Sequence, residues 1–199
     1  MNSVDSWHLR KREAKSLKFF GGFGFKDEVR IFEKILRDLG YFRANPYNIC
    51  GFSYGAQKAV RFALESLKSN VRVNRVLLLS PAFFNDKDSA FKDAQIMAFA
   101  KNKALYMKAF YKNVGVCAED RQFLREIESL DSRILEQCLR YEFKGDDLVF
   151  LRSKGVEIVA ILGQNDRIID SLKANDFFSE FGIVYLIKNA NHLLNVSLP

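Results

Sequence analysis

The sequence contains only two histidines and three cysteines in 199 residues. Cys50, Cys117 and Cys138 form an odd set without metal-ligand spacing, and Cys50 ends an apolar run. Packing in the core explains these cysteines better than disulfide bonds or zinc, so we expect no metal site. The scarcity of histidine leaves His8 and His192 as the only imidazoles that could serve as a general base.

The chain also lacks long apolar runs and clusters of proline. No run is long enough to span a membrane, and residues 1–18 lack the apolar stretch of a secretory signal. We find no Pro-rich linker, internal repeat or low-complexity segment. Since 48% of the residues are hydrophobic, the chain can bury a substantial core. These features predict a cytoplasmic protein with one domain over residues 17–199, preceded by an N-terminal extension at 1–16.

The segment 51–55 reads Gly-Phe-Ser-Tyr-Gly and lies between a strand-like run at 47–50 and a helix-like run at 56–68. A strand, a sharp turn with serine at its apex and a helix form a nucleophile elbow, in which the serine backbone is strained. Gly51 and Gly55 are small enough for strand and helix to approach each other. The helix dipole and free N–H groups then favour negative charge near Ser53. The alternative is a glycine-serine loop that matches the pattern by chance.

Two further side chains can complete a catalytic triad with Ser53. His192 follows an apolar run at 183–187 and a short loop, whereas His8 lies in a polar, basic segment, so we assign His192 as the base. Asp166 lies in the loop after an apolar run at 156–162, where a carboxylate can orient the imidazole. An aspartate in such a loop is also a common turn former or helix cap. The chain order serine, aspartate, histidine, each after its own strand, favours the triad.

Backbone N–H groups for an oxyanion hole can be placed as well. One belongs to Tyr54, directly after the serine, and the other should come from the loop after an earlier strand. Residues 17–20 predict that strand, and the sequence Gly-Gly-Phe-Gly follows it at 21–24. We expect the N–H of Phe23 to be the second donor. The alternative is a flexible glycine-rich loop.

Short apolar runs typical of buried strands alternate along the chain with segments whose apolar residues have helical spacing, and this alternation predicts an α/β fold. Strands are expected near 17–20, 47–51, 74–80, 156–162 and 183–187. Helical spacing covers 27–39 and 56–68. Residues 41–46 are too few to supply another strand and helix, so we expect a reduced, mostly parallel sheet of about five strands with flanking helices. Strands that are consecutive in the sequence should lie next to each other in the sheet, with the 17–20 strand at one edge.

The segment at about 83–153 interrupts this alternation and predicts a helical lid. We expect helices over 93–113, 119–128 and 131–143. An insertion at this point lies over the C-terminal edge of the sheet, where ligands bind in such folds. Four apolar side chains of this segment are candidates for an acyl-chain pocket: Phe83, Phe84, Met97 and Phe110. The alternative for each is simple packing of lid against core.

The net charge is +7 with a pI of about 9.3, and part of this excess is local, because residues 91–118 contain five lysines and only one acidic residue, Asp93. If 93–113 is one helix, the spacings of seven and four place Lys101, Lys108 and Lys112 on one face. That face could dock an acidic partner, or it could be an ordinary solvated surface. No nucleic-acid-binding motif accompanies the lysines.

Together, the Phe-Gly-rich segment at 19–25, the serine motif at 51–55, Gly-Gln-Asn-Asp at 163–166 and Asn-His at 191–192 resemble the compact pimeloyl-[acyl-carrier protein] methyl ester esterases of biotin synthesis. The resemblance covers about residues 17–194 and implies a reduced α/β-hydrolase fold. Gly21 stands where many relatives of that fold have histidine, which should not harm an oxyanion hole built from backbone.

The resemblance implies a serine esterase that frees the pimeloyl carboxylate from the methyl ester of pimeloyl-acyl carrier protein. It implies acyl carrier protein as the partner and no cofactor. Two other functions remain open from the residues themselves. One is a general short-chain carboxylesterase or thioesterase, and the other is a non-catalytic binding protein on a hydrolase scaffold.

Overall fold

The computed structural model of the protein describes residues 17–42 and 45–196, so His8 and the expected extension at 1–16 lie outside the described residues. Five strands form one sheet: β1 (Lys18–Phe20), β2 (Asn48–Phe52), β3 (Arg75–Leu79), β4 (Glu157–Gly163) and β5 (Ile183–Ile187). All neighbours pair in parallel and the spatial order follows the sequence, with β1 at an edge. The expected reduced parallel sheet is confirmed.

Seven α-helices accompany the sheet within the described residues: α1 (Glu33–Asp38), α2 (Tyr54–Lys68), α3 (Ser89–Lys101), α4 (Lys103–Val114), α5 (Ser132–Arg140), α6 (Gly145–Ser153) and α7 (Ser171–Ser179). The helix expected over 27–39 is a 3₁₀ turn, Glu28–Phe32, followed by α1. Helix α2 buries a row of small side chains, including Ala56, Ala59 and Ala63. Small side chains let the helix lie close to the strands beneath it.

The central strands are buried on both faces because alternate side chains point to opposite sides of the sheet. Ile49, Val76 and Ile158 belong to an apolar cluster that includes α2. Their neighbours Cys50 and Leu77 belong to a second cluster that includes Phe32, Leu36 and Leu193. Burial on both faces explains why these strands read as continuous apolar runs.

The lid differs from the expected pattern at three places. The helix expected over 93–113 is broken at Asn102, whose side chain accepts a hydrogen bond from the Leu105 N–H and so caps α4. The helix expected over 119–128 consists of two 3₁₀ turns, Glu119–Phe123 and Ile127–Ser129. The third helix, α5, ends at Arg140 and not at 143. The lid is therefore an assembly of short pieces.

The last helix of the expected lid segment, α6, packs against β4 and α2. Its buried residues Leu148 and Leu151 belong to the same apolar cluster as α2. Helix α6 is thus the crossover helix that leads into β4, and we use the name lid for residues 83–143. Among the described residues, no helix is both long and apolar enough to cross a bilayer.

Candidate active site

Ser53 lies at the sharp turn between β2 and α2, with φ 53° and ψ −116°. The turn is possible only because its flanking residues lack side chains. A Cβ atom at Gly51 would overlap the carbonyl group of Gly55, and one at Gly55 would overlap the carbonyl oxygen of Phe20. The serine side chain is thereby presented at the C-terminal edge of the sheet, as a nucleophile elbow requires.

His192 and Asp166 meet this serine from the loops after β5 and β4. His192 Nε2 lies 2.9 Å from Ser53 Oγ, and His192 Nδ1 lies 2.5 Å from Asp166 Oδ2. With the Nδ1 proton donated to the carboxylate, Nε2 is free to accept the serine proton. The structure therefore brings together the three side chains that the sequence analysis selected.

The carboxylate of Asp166 is oriented by its own loop. Its Oδ1 accepts hydrogen bonds from the N–H groups of Ile168 at 2.7 Å and Ile169 at 3.2 Å, which leaves Oδ2 for the imidazole. The loop of His192 packs directly against the end of β4, because a Cβ atom at Gly163 would overlap the carbonyl oxygen of Asn191. The close approach of the two loops sets the distance between aspartate and histidine.

The imidazole lies in an enclosed position. The ring of Phe52, which precedes the serine, lies 5.2 Å from the His192 ring centroid. His192 is completely buried and Ser53 is 4% exposed. Enclosure of this kind excludes bulk water and strengthens the electrostatic interactions within the site.

The loop 21–24 lies beside Ser53, as an oxyanion loop should. A Cβ atom at Gly22 would lie 3.4 Å from Ser53 Cβ. Within the described residues, the N–H groups of Phe23 and Tyr54 have no hydrogen-bond partner in the protein. Two unpaired donors next to a nucleophile can stabilise an anionic oxygen.

The lid is hydrogen-bonded to the oxyanion loop, to the residue after Ser53 and to the histidine loop. Tyr111 Oη donates a hydrogen bond to the carbonyl of Gly24, and Tyr54 Oη donates one to Gln137 Oε1 of α5 at 3.1 Å. Asn191 Nδ2, next to the histidine, donates to the carbonyl of Gly115. The position of the lid is therefore tied to the geometry of the catalytic loops.

A cleft of about 300 Å³ lies between α3, α4, α5 and the loop of Asp166. Its walls include Phe84 and Phe110 and, from the aspartate loop, Arg167 and Ile168. The ring of Phe110 packs on Phe23 of the oxyanion loop at 5.9 Å. The cleft thus borders the aspartate loop, and one of its wall residues packs on the oxyanion loop.

Two of the four expected pocket residues do not lie in this cleft. Phe83 is buried against Phe143, Phe177 and Phe178, so it packs lid against core. Met97 is 70% exposed, on the outer side of α3. Of the four expected pocket residues, Phe84 and Phe110 therefore line this cleft, whereas Phe83 and Met97 do not.

The three expected docking lysines do not share one helical face. Lys101 is the last residue of α3, whereas Lys108 and Lys112 lie one turn apart on α4. The break at Asn102 removes the spacing argument for Lys101. All three residues are exposed.

Sequence reasoning missed several residues that shape the site. Glu28 is buried and its Oε1 accepts the N–H of Gly22 at 2.6 Å. Gln57, in α2, donates to the carbonyls of Ala82 and of Cys138 in the lid. No sequence motif marks these residues: Gln57 acts on segments 25 and 81 residues away, and the contact of Glu28 with Gly22, six residues away, depends on burial of the glutamate side chain. Among residues 17–42 and 45–196, no group of three or more His, Cys, Asp or Glu side chains could hold a metal ion.

No family model and no curated protein matches this chain. Solved structures are similar to it at low identity. A lipase-esterase related protein from Clostridium acetobutylicum has a TM-score of 0.62 at 16% identity, over 90% of this chain and 87% of that chain. An esterase from Exiguobacterium antarcticum has a TM-score of 0.58 at 16% identity, over 86% and 72% of the two chains.

Naproxen esterase from Bacillus subtilis has a TM-score of 0.53 at 19% identity, over 92% of this chain and 78% of that chain. At such identities the likeness concerns the fold. The likeness extends over about nine-tenths of this chain and so includes most of the parallel sheet and its flanking helices. The chain therefore has a reduced α/β-hydrolase fold.

Proposed function

We propose that the protein is a serine esterase that hydrolyses carboxylic esters. The observation that carries this proposal is the hydrogen-bonded series Ser53 Oγ, His192 Nε2, His192 Nδ1 and Asp166 Oδ2 beside two unpaired N–H groups. Nucleophile, base, orienting carboxylate and oxyanion donors are the parts that acyl transfer to water needs.

In the proposed reaction, His192 Nε2 accepts the proton of Ser53 as Oγ attacks the ester carbonyl. The N–H groups of Phe23 and Tyr54 hold the resulting oxyanion, while Asp166 stabilises the imidazolium. The alkoxide leaves with the proton from His192. Water, deprotonated by the same imidazole, then releases the acid and restores the serine.

The cleft beside Ile168 is the proposed site of the acyl chain. Its wall is formed mainly by apolar and aromatic side chains, including Phe84, Phe110 and Leu139. Each buried methylene contributes about 0.8 kcal/mol, so such a wall favours a chain of several carbons over an acetyl group.

Filling this cleft should select against long acyl chains. We expect Ala109→Trp to raise KM for a p-nitrophenyl octanoate at least about tenfold while changing kcat/KM for the acetate less than about threefold, because the indole takes the volume of several methylenes. Met97→Ala is the matched control on the exposed side of α3 and should leave both esters unchanged. An equal effect of Ala109→Trp on both esters would place the acyl chain elsewhere.

We further propose that the substrate is the methyl ester of pimeloyl-acyl carrier protein. The reduced core and the Phe-Gly-rich first loop support this proposal through the resemblance, and the lysine-rich segment 91–118 of the lid supports it through its charge. Lys108 and Lys112 lie on α4 together with the apolar residue Leu105, which is 63% exposed. A surface that combines cations with apolar side chains suits an acidic, amphipathic partner.

This substrate carries a second, more reactive carbonyl, the thioester at its carrier end. For the methyl ester to be hydrolysed instead, the position of the bound substrate must determine which of the two carbonyl groups reaches Ser53. If the carrier protein docks on the lid, the acyl chain length determines the distance from the docking surface to the serine.

Charge reversal on α4 should separate a carrier-dependent esterase from a generalist. We expect Lys108→Glu with Lys112→Glu to raise KM for the carrier-linked ester about tenfold or more, while kcat/KM for p-nitrophenyl butyrate stays within about twofold. The single variant Lys101→Glu tests the third lysine, which lies on α3 and is separated from Lys108 and Lys112 by the break at Asn102. High salt should reproduce the effect on the wild type.

The matched control is Lys68→Glu with Lys154→Glu, which makes the same change in net charge. Lys68 is the last residue of α2 and Lys154 follows α6, so both lie toward the N-terminal ends of the strands, away from the catalytic loops. If both double variants, or both esters, respond alike, the lysines are a solvated face. The function would then be that of a general carboxylesterase, which the names of the structurally similar esterases favour.

A further inference from the structure

Glu28 has a buried carboxyl group that contacts the oxyanion loop at Gly22, beside the catalytic serine. It is 1% exposed, and its Oε1 accepts the N–H of Gly22 at 2.6 Å. Gly22 directly precedes Phe23, whose N–H is one of the two unpaired donors. The hydrogen bond therefore anchors the residue that carries the Phe23 peptide group.

The start of the loop is shaped around this carboxyl group. A Cβ atom at Gly21 would lie 2.6 Å from Glu28 Oε1 and 3.2 Å from Cδ. The space that a side chain at position 21 would need is taken by the glutamate. Gly21 and Glu28 thus form a matched pair, which gives a reason for glycine at this position.

The two ends of the loop are held by different parts of the molecule. The carbonyl of Gly24 accepts hydrogen bonds from Tyr111 Oη and from the Arg125 N–H, so the lid holds that end. Within the described part of the chain, Glu28 is the only side chain that hydrogen-bonds residues 21–23. The orientation of the Phe23 N–H therefore depends on the hydrogen bond between Glu28 and the preceding residue, Gly22.

The surroundings of Glu28 shift the pKa of its carboxyl group in two opposing directions. Burial raises the pKa of the Glu28 carboxyl, while its hydrogen bonds to backbone N–H groups and the charge of Arg125 oppose that rise. A carboxyl oxygen can accept the N–H of Gly22 whether the acid is neutral or ionised, so the positioning role rests on the 2.6 Å contact.

We propose that Glu28 is a positioning residue of the oxyanion hole: it holds the N–H of Gly22 and thereby aims the N–H of Phe23 at the reacting carbonyl oxygen. This inference rests on the proposed ester hydrolysis.

The test compares Glu28→Leu, which removes the acceptor at similar volume, with Glu28→Gln, which keeps Oε1. Loss of one oxyanion donor costs about 10²- to 10³-fold in kcat. Because Glu28→Leu misaligns a donor and does not delete it, we expect kcat for p-nitrophenyl butyrate to fall about 10- to 100-fold at unchanged KM. Glu28→Gln should stay within about threefold of wild type.

Affinity for a trifluoromethyl ketone, which binds serine as a tetrahedral oxyanion, should fall in parallel with kcat. The double variant Gly21→Ala with Glu28→Ala should be no less active than Glu28→Ala, since removing the carboxyl makes room for the new Cβ, whereas Gly21→Ala alone should be impaired. Should Glu28→Leu not fold, Glu28→Asp must show the same fall in kcat at unchanged KM.

Wild-type kcat in folded Glu28→Leu or Glu28→Asp, or equal damage from Glu28→Gln, would overturn the inference. Failure of the proposed function is distinguishable, because the wild type itself would then hydrolyse no ester. In that case the rates of fluorophosphonate labelling of Ser53 in the same variants decide the role of Glu28.

Discussion

A fluorophosphonate probe is expected to label the wild-type protein at Ser53, and Ser53→Ala should abolish this labelling. The expectation follows from the 2.9 Å contact between Ser53 Oγ and His192 Nε2, which activates the hydroxyl. Asp166→Asn should fold and yet lower kcat by roughly four orders of magnitude, because an amide cannot hold the imidazole in the required tautomer. Labelling and ester hydrolysis by purified variants measure both effects.

The control for this experiment is His8→Ala, which removes the other histidine of the chain. Since His192 Nε2 already lies at hydrogen-bond distance from the serine hydroxyl, the control should keep wild-type activity. Undiminished labelling of Ser53→Ala would disprove the choice of nucleophile, and a large loss in His8→Ala would disprove the choice of base. Absence of labelling in the folded wild type would favour a non-catalytic protein on a hydrolase scaffold.

The second large effect is expected from Gly55→Ala, at the start of α2. The added Cβ would overlap the carbonyl oxygen of Phe20 and lie 2.8 Å from that of Gly21, so β1 and the oxyanion loop must move. Backbone atoms cannot give way as side chains do. We expect a loss of about 3 kcal/mol or more in the free energy of unfolding, together with loss of fluorophosphonate labelling.

Gly40→Ala is the matched control, because Gly40 has φ +78° but no atom within 4 Å of the added Cβ. Its cost should be only the backbone strain of a left-handed residue, about 1 kcal/mol. For a chain of this size, thermal unfolding should then show a decrease of about 10 °C for Gly55→Ala and about 3 °C for Gly40→Ala. Equal decreases in the two variants would mean that steric overlap does not limit the elbow.

Much of the fold could be predicted because its signals are local. A strand covered on both faces reads as an apolar run, and β2, β3 and β4 each do so. Glycines on either side of Ser53 mark a turn that no other residue could make. With two histidines in the chain, the partner of the serine followed from composition and order.

The lid was predicted less well because its signals conflict. Residues 93–113 have helical spacing throughout, and only the capping geometry of Asn102 divides them into α3 and α4. An asparagine can occupy a helix interior or a cap, and packing of the two helices selects between these. The placement of Phe83 in the core and Met97 in solvent likewise depends on which elements the lid meets.

By itself, the sequence determined the order of the strands, the elbow around Ser53 and the three side chains that meet there. Only the tertiary structure decided which lid residues border the cleft and which side chain hydrogen-bonds the oxyanion loop, namely the buried Glu28. The physical reason is the range of the interactions. Periodicity and turn sterics act within a few residues, whereas burial of a side chain is decided by segments that are far away in the chain and close in space.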